Sequence, residues 1–330
     1  MDERITYEED AIVSVIIPTY NRINDLIECL NSIIKQTITP KEVIFIDDSD
    51  DDQVRDFVQD RFHEFACKGI DLRYIKNSRE KSSAIARNIG IGLAKGDFLL
   101  FLDSDIILED CYIQEIIRIY KEFPNALGVT GYITNINYFK YYNKMARIFY
   151  LSFLEPNRCR VMPSTEITYP FGLDQIINPD AMSGSNMSFK KSILNEIKFD
   201  EKLLRYSYKE DEDISYYISK LYQKSLFMTP HAKVLHCISD SGRMPQKLDI
   251  YMKQIYALYF FYKNINQTHI NKIIFIWSRF GYIVFYIMGV LFRPRKSSYL
   301  KLKYLIEAYT LCLKRKKDIE CGNIEFFNSM

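Results

Sequence analysis

The sequence has few features of a disulfide-bonded, zinc-binding or nucleic-acid-binding protein. Its seven cysteines are scattered, and none forms a Cys-x-x-Cys pair, which disfavours a disulfide framework and a zinc site. Lys and Arg number 44 and Asp and Glu 42, so no basic field points to nucleic acid as a partner. No internal repeat or low-complexity tract is visible. This composition indicates a reduced, cytosolic globular protein.

The absence of certain local motifs excludes further classes of protein. The opening segment MDERITYEED is acidic and polar, so we expect no secretory signal peptide there. The segment IPTYNRIND follows the first apolar run without a glycine, whereas a sugar nucleotidyltransferase would carry a glycine-rich phosphate loop at this point. There is also no obvious Ser-His or Cys-His elbow for nucleophilic catalysis.

Apolar, β-branched runs alternate with amphipathic segments in the first part of the chain. The pattern predicts strands at 11–20, 41–52, 71–77 and 97–105 and helices at 25–36, 54–66 and 82–96. Such alternation is typical of a mostly parallel sheet with helices on both faces. Because ligands bind beyond the carboxyl ends of such strands, PTYNR, DDSDDD and DSD should share one rim.

The pattern beyond residue 125 is more mixed. DAMSGSNMSFKKSIL has a Gly-Ser break before a strand and a helix start, and YKEDEDISYYISKLYQK predicts an amphipathic helix with an acidic beginning. LFMTPHAKVLHCIS predicts a short strand, a proline turn and another strand. After about residue 246 the chain becomes aromatic and basic.

Asp103 and Asp105 end the apolar run in LLFLDSDIIL, where charges are costly unless something offsets them. If the strand continues through them, their side chains share a face, because alternate strand residues point the same way. Two convergent carboxylates repel each other unless a cation lies between them, and their oxygens suit Mg²⁺ or Mn²⁺. Asp-Ser-Asp also suits a solvated turn, so these residues alone leave metal binding open.

A second acidic cluster, IDDSDDD at residues 46–52, ends another predicted strand on the same rim. Asp47 or Asp48 can accept a hydrogen bond from a nucleobase N–H or a ribose hydroxyl. The acids at 50–52 are better explained by the helix that follows, whose N-terminus favours negative charge.

Three further segments contain candidate functional residues, each with a plainer alternative. Arg87 in ARNIG can orient a diphosphate or the aspartates, or be a surface arginine. Glu210 and Asp211 in KEDEDIS lie at a predicted helix start, where a carboxylate can act as a general base or simply favour the helix. His236 in VLHCIS can complete a metal shell or be a structural histidine.

The order of the motifs resembles that of family 2 glycosyltransferases with the GT-A fold. The matching segments are VSVIIPTYNR, VIFIDDSDDD, ARNIGIGLAKGDFLLFLDSD, SGSNMSFKK, FDE, EDEDIS and VLHCIS, which span roughly residues 11–240. The resemblance implies an α/β fold with a mostly parallel central sheet, flanking helices and a Rossmann-like nucleotide half. One departure is Ser49, which stands where the family usually has the glycine of a DDGS turn.

The resemblance also implies a role for each candidate. The nucleotide-sugar-binding residues would be Pro18, Thr19, Tyr20, Asp47, Asp48, Arg87 and Asp103. The metal ligands would be Asp105, Asp103 and His236. The catalytic residues would be Asp211, as general base, and its neighbour Glu210, with Asp213 in support.

The resemblance implies an NDP-sugar donor, most often a UDP-sugar, and Mn²⁺ or Mg²⁺ as cofactor. Asp211 would take the proton of an acceptor hydroxyl while the metal offsets charge on the diphosphate, and one displacement would invert the anomeric carbon. The expected acceptor is a lipid-linked or cell-surface glycan, with polyprenyl phosphate as an alternative. A non-catalytic nucleotide-sugar-binding membrane scaffold is the alternative from another class, and such a protein would be expected to lose the acids.

The segment IIFIWSRFGYIVFYIMGVLF, residues 273–292, is nearly all apolar and about long enough to cross a bilayer. Arg279 interrupts it and shares a helical face with Tyr282, Tyr286, Gly289 and Arg293. This face suits a helix lying in the interface, and the following RPRK, KLK and KRKK suit anionic headgroups. The sequence is consistent with three arrangements of this helix: it spans the membrane, lies in the interface or packs on the enzyme. We favour a re-entrant or surface helix, because basic residues beyond the segment argue against a complete crossing.

These arguments predict a division of the chain. A GT-A domain would occupy residues 1–245, with a nucleotide-sugar half at 11–125 and an acceptor half at 126–245. A helical, basic, membrane-associated region would occupy 246–330 and contact the membrane surface through residues 255–317. The protein would lie on the cytoplasmic face of the cell membrane, as a peripheral, monotopic or single-helix-anchored protein.

Overall fold

The computed structural model describes residues 11–136, 140–152, 154–237, 244–328 and 330. The acidic segment 1–10 and the last two residues of VLHCIS, Ile238 and Ser239, lie outside the described residues. The strands are β1 Val13–Thr19, β2 Glu42–Asp47, β3 Asp71–Lys76, β4 Phe98–Phe101, β5 Ile106–Leu108, β6 Gly128–Ile133, β7 Leu154–Glu155, β8 Tyr169–Pro170, β9 Met187–Lys190 and β10 Leu226–His236. The helices are α1 Ile23–Ile34, α2 Gln53–Asp60, α3 Phe62–Cys67, α4 Ser83–Leu93, α5 Tyr112–Glu122, α6 Lys140–Ile148, α7 Lys191–Glu196, α8 Glu210–Leu221, α9 Gln246–Asn264, α10 His269–Phe292, α11 Lys296–Lys314 and α12 Lys316–Glu320, followed by a 3₁₀ helix at Glu325–Phe327.

A mixed sheet of eight strands, in the order β3-β2-β1-β4-β9-β6-β10-β5, forms the centre of the described molecule. Strands β1 to β4 pair in parallel, as do β6 and β10. Strand β9 runs antiparallel between β4 and β6, and β5 runs antiparallel to β10 at the edge. The β7–β8 pair forms a separate two-stranded sheet.

The sheet is covered on both faces because its central strands are apolar on both sides. Val15 and Phe45 point into one core, which contains residues of α1, α2, α3 and α5. Ile16 and Ile44 point into the other, which contains residues of α4, α7 and α8. Continuous apolar runs of this kind are typical of buried parallel strands. This packing places the carboxyl ends of β1, β2 and β4 at one edge.

Two predicted elements are wrong in detail. The helix predicted at 54–66 is divided into α2 and α3 at Arg61, which is the residue that follows one helix and precedes the other. The strand predicted to run through Asp103 and Asp105 ends at Phe101. Both acids lie in a turn that leads to β5, with the Ile106 N–H donating to the Asp103 carbonyl at 3.3 Å. Strand alternation therefore does not set their directions.

The proline turn predicted near Pro230 is a register shift inside a longer strand. Strand β10 continues from Leu226 to His236, but its pairing with β6 shifts between Met228 and Lys233. Proline has no N–H to donate to a sheet ladder, which explains an irregularity at this position.

The C-terminal helices pack on the sheet domain around a core of their own. Residues of α9, α11 and α12 form this core, including Ile255, Tyr256 and Leu305. Lys263 of α9 forms ion pairs with Asp200 at 2.6 Å and with Asp213 of α8 at 2.7 Å. These contacts fix α9 beside α8.

Helix α10 packs with one face on the protein and leaves an apolar face exposed. Gly281 has no side chain, and the side chain of Phe149, through its Cβ and ring, lies where a Cβ on Gly281 would be. The indole N–H of Trp277 donates to the Ile148 carbonyl at 2.8 Å. Among the described residues, α10 is the helix long and apolar enough to cross a membrane by length and composition. Its exposed apolar side chains are Ile270, Ile273, Ile276, Trp277, Phe280, Ile287, Leu291 and Phe292.

Candidate active site

A cavity of about 500 Å³ opens where the strand ends of the sheet meet the N-terminus of α8. This is the edge at which open α/β sheets bind ligands. The candidate residues that line it are Pro18, Thr19, Tyr20, Asp48, Arg87, Asp103, Glu210, Asp211 and His236. Residues from six separate parts of the sequence therefore meet in one place.

Asp48 and Asp47 are adjacent in sequence but differ in environment. Asp48 lines the cavity, and its carboxylate accepts from Asn77 Nδ2 at 2.5 Å and from the Ser82 N–H at 3.1 Å. Burial raises the pKa of the Asp48 carboxyl to about 6, although these hydrogen bonds lower it.

The Asp47 side chain does not line this cavity among the described residues. It is fully buried, and it accepts from the Tyr74 hydroxyl at 2.7 Å and the Ser49 N–H at 2.9 Å. Lys76 Nζ lies 3.4 Å from the same carboxylate. Asp47 thus connects the turn after β2 to the adjacent strand β3. Of these two aspartates, Asp48 is the one that lines the cavity.

Arg87 of α4 connects the two acidic sides of the cavity. Its guanidinium pairs with Glu210, lies 3.1 Å from Asp103 Oδ1 and donates to the Gly184 carbonyl at 3.2 Å. Arg87 and Glu210 are both buried. Burial raises the pKa of the Glu210 carboxyl well above its usual range, while the Arg87 charge acts in the opposite direction. The Arg87 guanidinium therefore fixes Asp103 and the start of α8 relative to each other.

Asp211 presents its carboxylate to the cavity from the first turn of α8. Oδ2 accepts from the Gly184 N–H at 2.6 Å, and Oδ1 accepts from the Glu212 N–H at 2.8 Å. A Cβ on Gly184 would lie 3.0 Å from Arg87 Nη2 and 3.1 Å from Asp211 Cβ. Glycine at this position thus allows the chain to approach both functional side chains closely.

The residues around Asp211 hold the N-terminus of α8 in place. Lys209 precedes the helix with a φ of 74°, a left-handed conformation uncommon for a residue with a side chain. Its Nζ donates to the Thr165 carbonyl at 2.6 Å and pairs with Glu212. Burial raises the pKa of the Glu212 carboxyl to about 7. Asp213, expected in a supporting role, accepts from Asn264 at 2.6 Å and binds α9.

Asp105 lies beside the cavity between two basic side chains. Arg22 Nη1 is 3.1 Å from its Oδ2, and His236 Nε2 is 3.3 Å from its Oδ1. Asp103 instead directs Oδ1 toward Arg87. Within the described residues, no group of three His, Cys, Asp or Glu side chains is placed to hold a metal ion. Asp105 and His236 nevertheless supply oxygen and nitrogen donors of the kinds that Mn²⁺ accepts.

Several cavity residues had no role in the sequence-based prediction. They are Arg22, Lys81, Ser183, Gly184, Arg205, Tyr206 and Lys209. Arg22 is part of PTYNR and Gly184 part of SGSNMSFKK, so the motifs contain both residues. Their functions depend on partners from remote segments, and no spacing in the sequence specifies those partners.

Comparison with known proteins gives partial sequence matches. The chain is 30% identical to the glycosyltransferase GlyG of Streptococcus pneumoniae serotype 4 over 130 residues, 39% of this chain and 40% of GlyG. It is 36% identical over 99 residues, 30% of this chain and 37% of the relative, to WfgD of Escherichia coli. WfgD is named UDP-Glc:alpha-D-GlcNAc-diphosphoundecaprenol beta-1,3-glucosyltransferase. The matches thus cover well under half of either relative.

Similarity to solved structures extends over nearly the whole chain. The mannosyltransferase PcManGT from Pyrobaculum calidifontis, solved with GDP-Man and Mn²⁺, matches with a TM-score of 0.57 at 14% identity. The match covers 93% of this chain and 88% of PcManGT, and it confirms the expected GT-A-like α/β fold. The model of the family described as glycosyl transferase family 2 matches residues 14–197, which is more than half of the 330 residues. The chain therefore belongs to glycosyl transferase family 2.

Proposed function

We propose that this protein is an inverting, metal-dependent glycosyltransferase that moves a sugar from an NDP-sugar to an acceptor hydroxyl. The observation that carries the proposal is that Asp48, Asp103 and Asp211 line one cavity. Arg87 in the same cavity pairs with Asp103 and with Glu210, the residue before Asp211. Asp48 accepts hydrogen bonds from the nucleoside, and Asp211 faces the reacting end of the donor. A cavity of about 500 Å³ is within the range typical of small-molecule sites.

Asp211 is the general base in this mechanism. The acceptor oxygen attacks the anomeric carbon, the bond from that carbon to the diphosphate breaks, and the acceptor proton passes to the Asp211 carboxylate. The N–H groups of Gly184 and Glu212 fix the direction of that carboxylate. A single displacement inverts the anomeric configuration, and no covalent sugar–enzyme intermediate forms.

Asp105 and His236 are the proposed ligands of a divalent metal, with Asp103 beside them. Bound there, Mn²⁺ or Mg²⁺ would act as a Lewis acid and offset negative charge on the leaving diphosphate. Arg87 holds Asp103 in place, and Arg22 and Lys81 add positive charge to the cavity wall. These cations favour a substrate with two phosphates over a neutral sugar.

The proposed donor is a UDP-sugar and the proposed acceptor a lipid-linked glycan. Support comes from the relative WfgD, whose name includes a UDP-Glc donor and a diphosphoundecaprenol-linked acceptor. The exposed apolar face of α10 and the basic segments after it support contact with a membrane through residues 269–317. The α9 part of the expected range 255–317 is largely buried in the protein and does not support such contact. We propose the same division as the sequence suggests, with catalysis in 1–245 and membrane association in 246–330, on the cytoplasmic face.

The docking of α10 supports a helix in the interface over one that spans the bilayer. Arg279 is directed toward the protein, where it lies 3.2 Å from Glu166, so this face of α10 is covered by protein and not available to lipid. The opposite, apolar face is the one left exposed. An interfacial helix uses such a face to enter the headgroup boundary.

A thermal-shift experiment with UDP-glucose and GDP-mannose, each with and without Mn²⁺, tests the proposal. We expect one nucleotide sugar to raise Tm more when Mn²⁺ is present, because the metal binds donor and protein together. Asp211→Asn should keep this shift while donor turnover falls by about 10²- to 10⁴-fold. Asp249→Asn, which changes an α9 carboxylate paired with Lys253, is the matched control.

Two outcomes would contradict the proposal in different ways. If neither donor changes Tm with or without the metal, nucleotide-sugar binding is wrong. If a donor binds but neither the wild type nor Asp211→Asn turns it over, the protein is the non-catalytic scaffold considered above. Equal, measurable turnover in both would mean that Asp211 is not the general base.

A further inference from the structure

A buried polar bridge connects α10 to the N-terminus of α8. It runs through residues 164–166, here called the bridge loop. On the α10 side, Arg279 Nη2 donates to the Ser164 carbonyl at 2.8 Å and lies 3.2 Å from Glu166 Oε1. The Tyr282 hydroxyl donates to the same Oε1 at 2.9 Å. Two side chains of α10 therefore hold the bridge loop.

The other side of the bridge loop holds the catalytic helix. Lys209 Nζ donates to the Thr165 carbonyl at 2.6 Å and pairs with the carboxylate of Glu212 in the first turn of α8. The Glu212 N–H in turn donates to Asp211 Oδ1 at 2.8 Å. A continuous set of polar contacts therefore extends from Arg279 to the proposed general base.

The bridge consists of groups that have little freedom to rearrange. Ser164, Thr165 and Lys209 are buried. Thr165 and Lys209 have φ values of 68° and 74°, left-handed conformations that residues with a Cβ adopt only where their surroundings enforce them. The charges of Arg279 and Lys209 are matched by those of Glu166 and Glu212. Removing one of these four charged side chains leaves a partly or fully buried charge without its partner. A substitution at one of them is therefore expected to disturb the whole bridge.

We propose that Glu166 is a positioning residue, through which the seating of α10 sets the place of the Asp211 carboxylate. This inference rests on the proposed function, because it assigns regulation to the same catalytic site. If α10 tilts at a membrane surface, Arg279 and Tyr282 move the bridge loop, and Lys209 and Glu212 transmit the shift to α8. The membrane helix is then part of the catalytic apparatus as well as an anchor.

The Gly184 amide gives a direct measurement of this coupling, because it donates to Asp211 Oδ2. Its hydrogen exchange is slow only while the Asp211 carboxylate stays in place. In the full-length protein we expect Glu166→Gln to speed exchange at Gly184 and at residues 210–213 several-fold. Tyr282→Phe removes one hydrogen bond and keeps the Arg279 ion pair, so it should give a smaller change in the same direction and remains informative if Glu166→Gln folds poorly.

Turnover measurements distinguish positioning from a general loss of stability. Glu166→Gln should lower kcat and leave the donor KM nearly unchanged, whereas a merely structural role would reduce the amount of folded enzyme and leave kcat per folded molecule intact. In an Asp211→Asn background, Glu166→Gln should cause no further loss, since both act through one carboxylate. Asp249→Asn on α9 is the control and should change neither the exchange nor kcat.

The inference is overturned if Glu166→Gln and Tyr282→Phe leave exchange at Gly184 unchanged, or if the two losses in the double variant simply multiply. The exchange experiment needs no substrate. Failure of the proposed function, seen as absence of turnover in the wild type, is therefore a separate result from failure of the bridge.

Discussion

The Arg22 guanidinium lies 3.1 Å from Oδ2 of Asp105, so a cation of the chain itself sits beside the carboxylate that we propose as a metal ligand. Asp105 is buried, and its other oxygen is 3.3 Å from His236. A divalent ion entering this position has to approach a fixed positive charge or displace it. Arg22 should therefore weaken metal binding in the nucleotide-free protein.

Arg22→Gln should bind Mn²⁺ about tenfold more tightly than the wild type in the absence of nucleotide, a change of about 1.4 kcal/mol. Isothermal titration with MnCl₂ measures this affinity directly. Arg55→Gln is the control, because Arg55 pairs with exposed acids at the start of α2. Equal or weaker Mn²⁺ binding in Arg22→Gln would mean that Arg22 does not compete for Asp105.

Gly184→Ala tests how closely the chain approaches Arg87 and Asp211. The added Cβ would lie 3.0 Å from Arg87 Nη2 and 3.1 Å from Asp211 Cβ, so one of the two side chains must shift. Because small displacements of catalytic groups are costly, we expect donor turnover to fall by about 10- to 100-fold. The Tm shift caused by the nucleotide sugar should change little, since Gly184 lies at the reacting end of the cavity.

Gly92→Ala is the matched control for Gly184→Ala. Apart from the backbone of its own helix and its two chain neighbours, no atom lies within 4 Å of a Cβ built on Gly92, which is in the last turns of α4. Alanine there should stabilise the protein by about 0.5–1 kcal/mol through its better helix propensity, with unchanged turnover. If both alanine variants retain full turnover, the close approach at Gly184 has no catalytic importance.

The sequence predicts the parallel strands β1 to β4 well because their signals are long and local. The runs that contain Val15 and Phe45 are apolar on both faces, which is a strong signal for central parallel strands. Strands β5 and β9, by contrast, have only three and four residues. A segment that short has no measurable periodicity, and its pairing partners come from distant parts of the chain. The antiparallel pairings therefore appear only in the structure.

Some residues of the candidate site can be predicted from local sequence motifs, whereas others depend on contacts with remote segments. Asp48, Arg87 and Asp211 lie in motifs whose residue types already suggest their chemistry. Gly184 contacts Asp211 through its backbone N–H, which every residue type except proline has. Lys209 has a left-handed backbone conformation and donates to a carbonyl 44 residues away in the sequence. The residue types of Gly184 and Lys209 therefore do not predict these contacts. Asp47 has the same residue type as Asp48, and only burial distinguishes the two.

Asp48 should make nucleotide-sugar binding depend on pH. Burial raises the pKa of its carboxyl to about 6 from 3.8, so the proton is held more tightly in the folded protein than in the unfolded chain. If only the carboxylate accepts hydrogen bonds from the nucleoside, Kd should be about tenfold weaker at pH 5 than at pH 7. Titration with the nucleotide sugar at both pH values measures this difference.

Asp48→Asn should remove this pH dependence, whereas Asp211→Asn should retain it. The same pKa difference predicts that the contribution of Asp48 to the free energy of unfolding falls as pH rises from about 4 to about 6, because the folded-state carboxyl binds more protons over that window. Asp48→Asn should flatten that part of the stability profile. A wild-type Kd that stays constant between pH 5 and pH 7 would contradict the assigned role of Asp48.

The exposed face of α10 should bind anionic vesicles through its apolar side chains. Ile276 is 67% exposed, so Ile276→Asp removes apolar surface with little effect on folding. Burial of one such side chain contributes about 1.5–3 kcal/mol, which predicts a loss of vesicle affinity of at least about tenfold. Leu221→Asp is the control, because Leu221 is 54% exposed on α8, outside the α10 face. In a flotation assay Leu221→Asp should follow the wild type. A surface helix binds a membrane through one specific face, whereas non-specific adsorption depends only on the exposed apolar area. Equal losses of vesicle binding for the two variants would therefore mean that α10 is not the membrane-binding face.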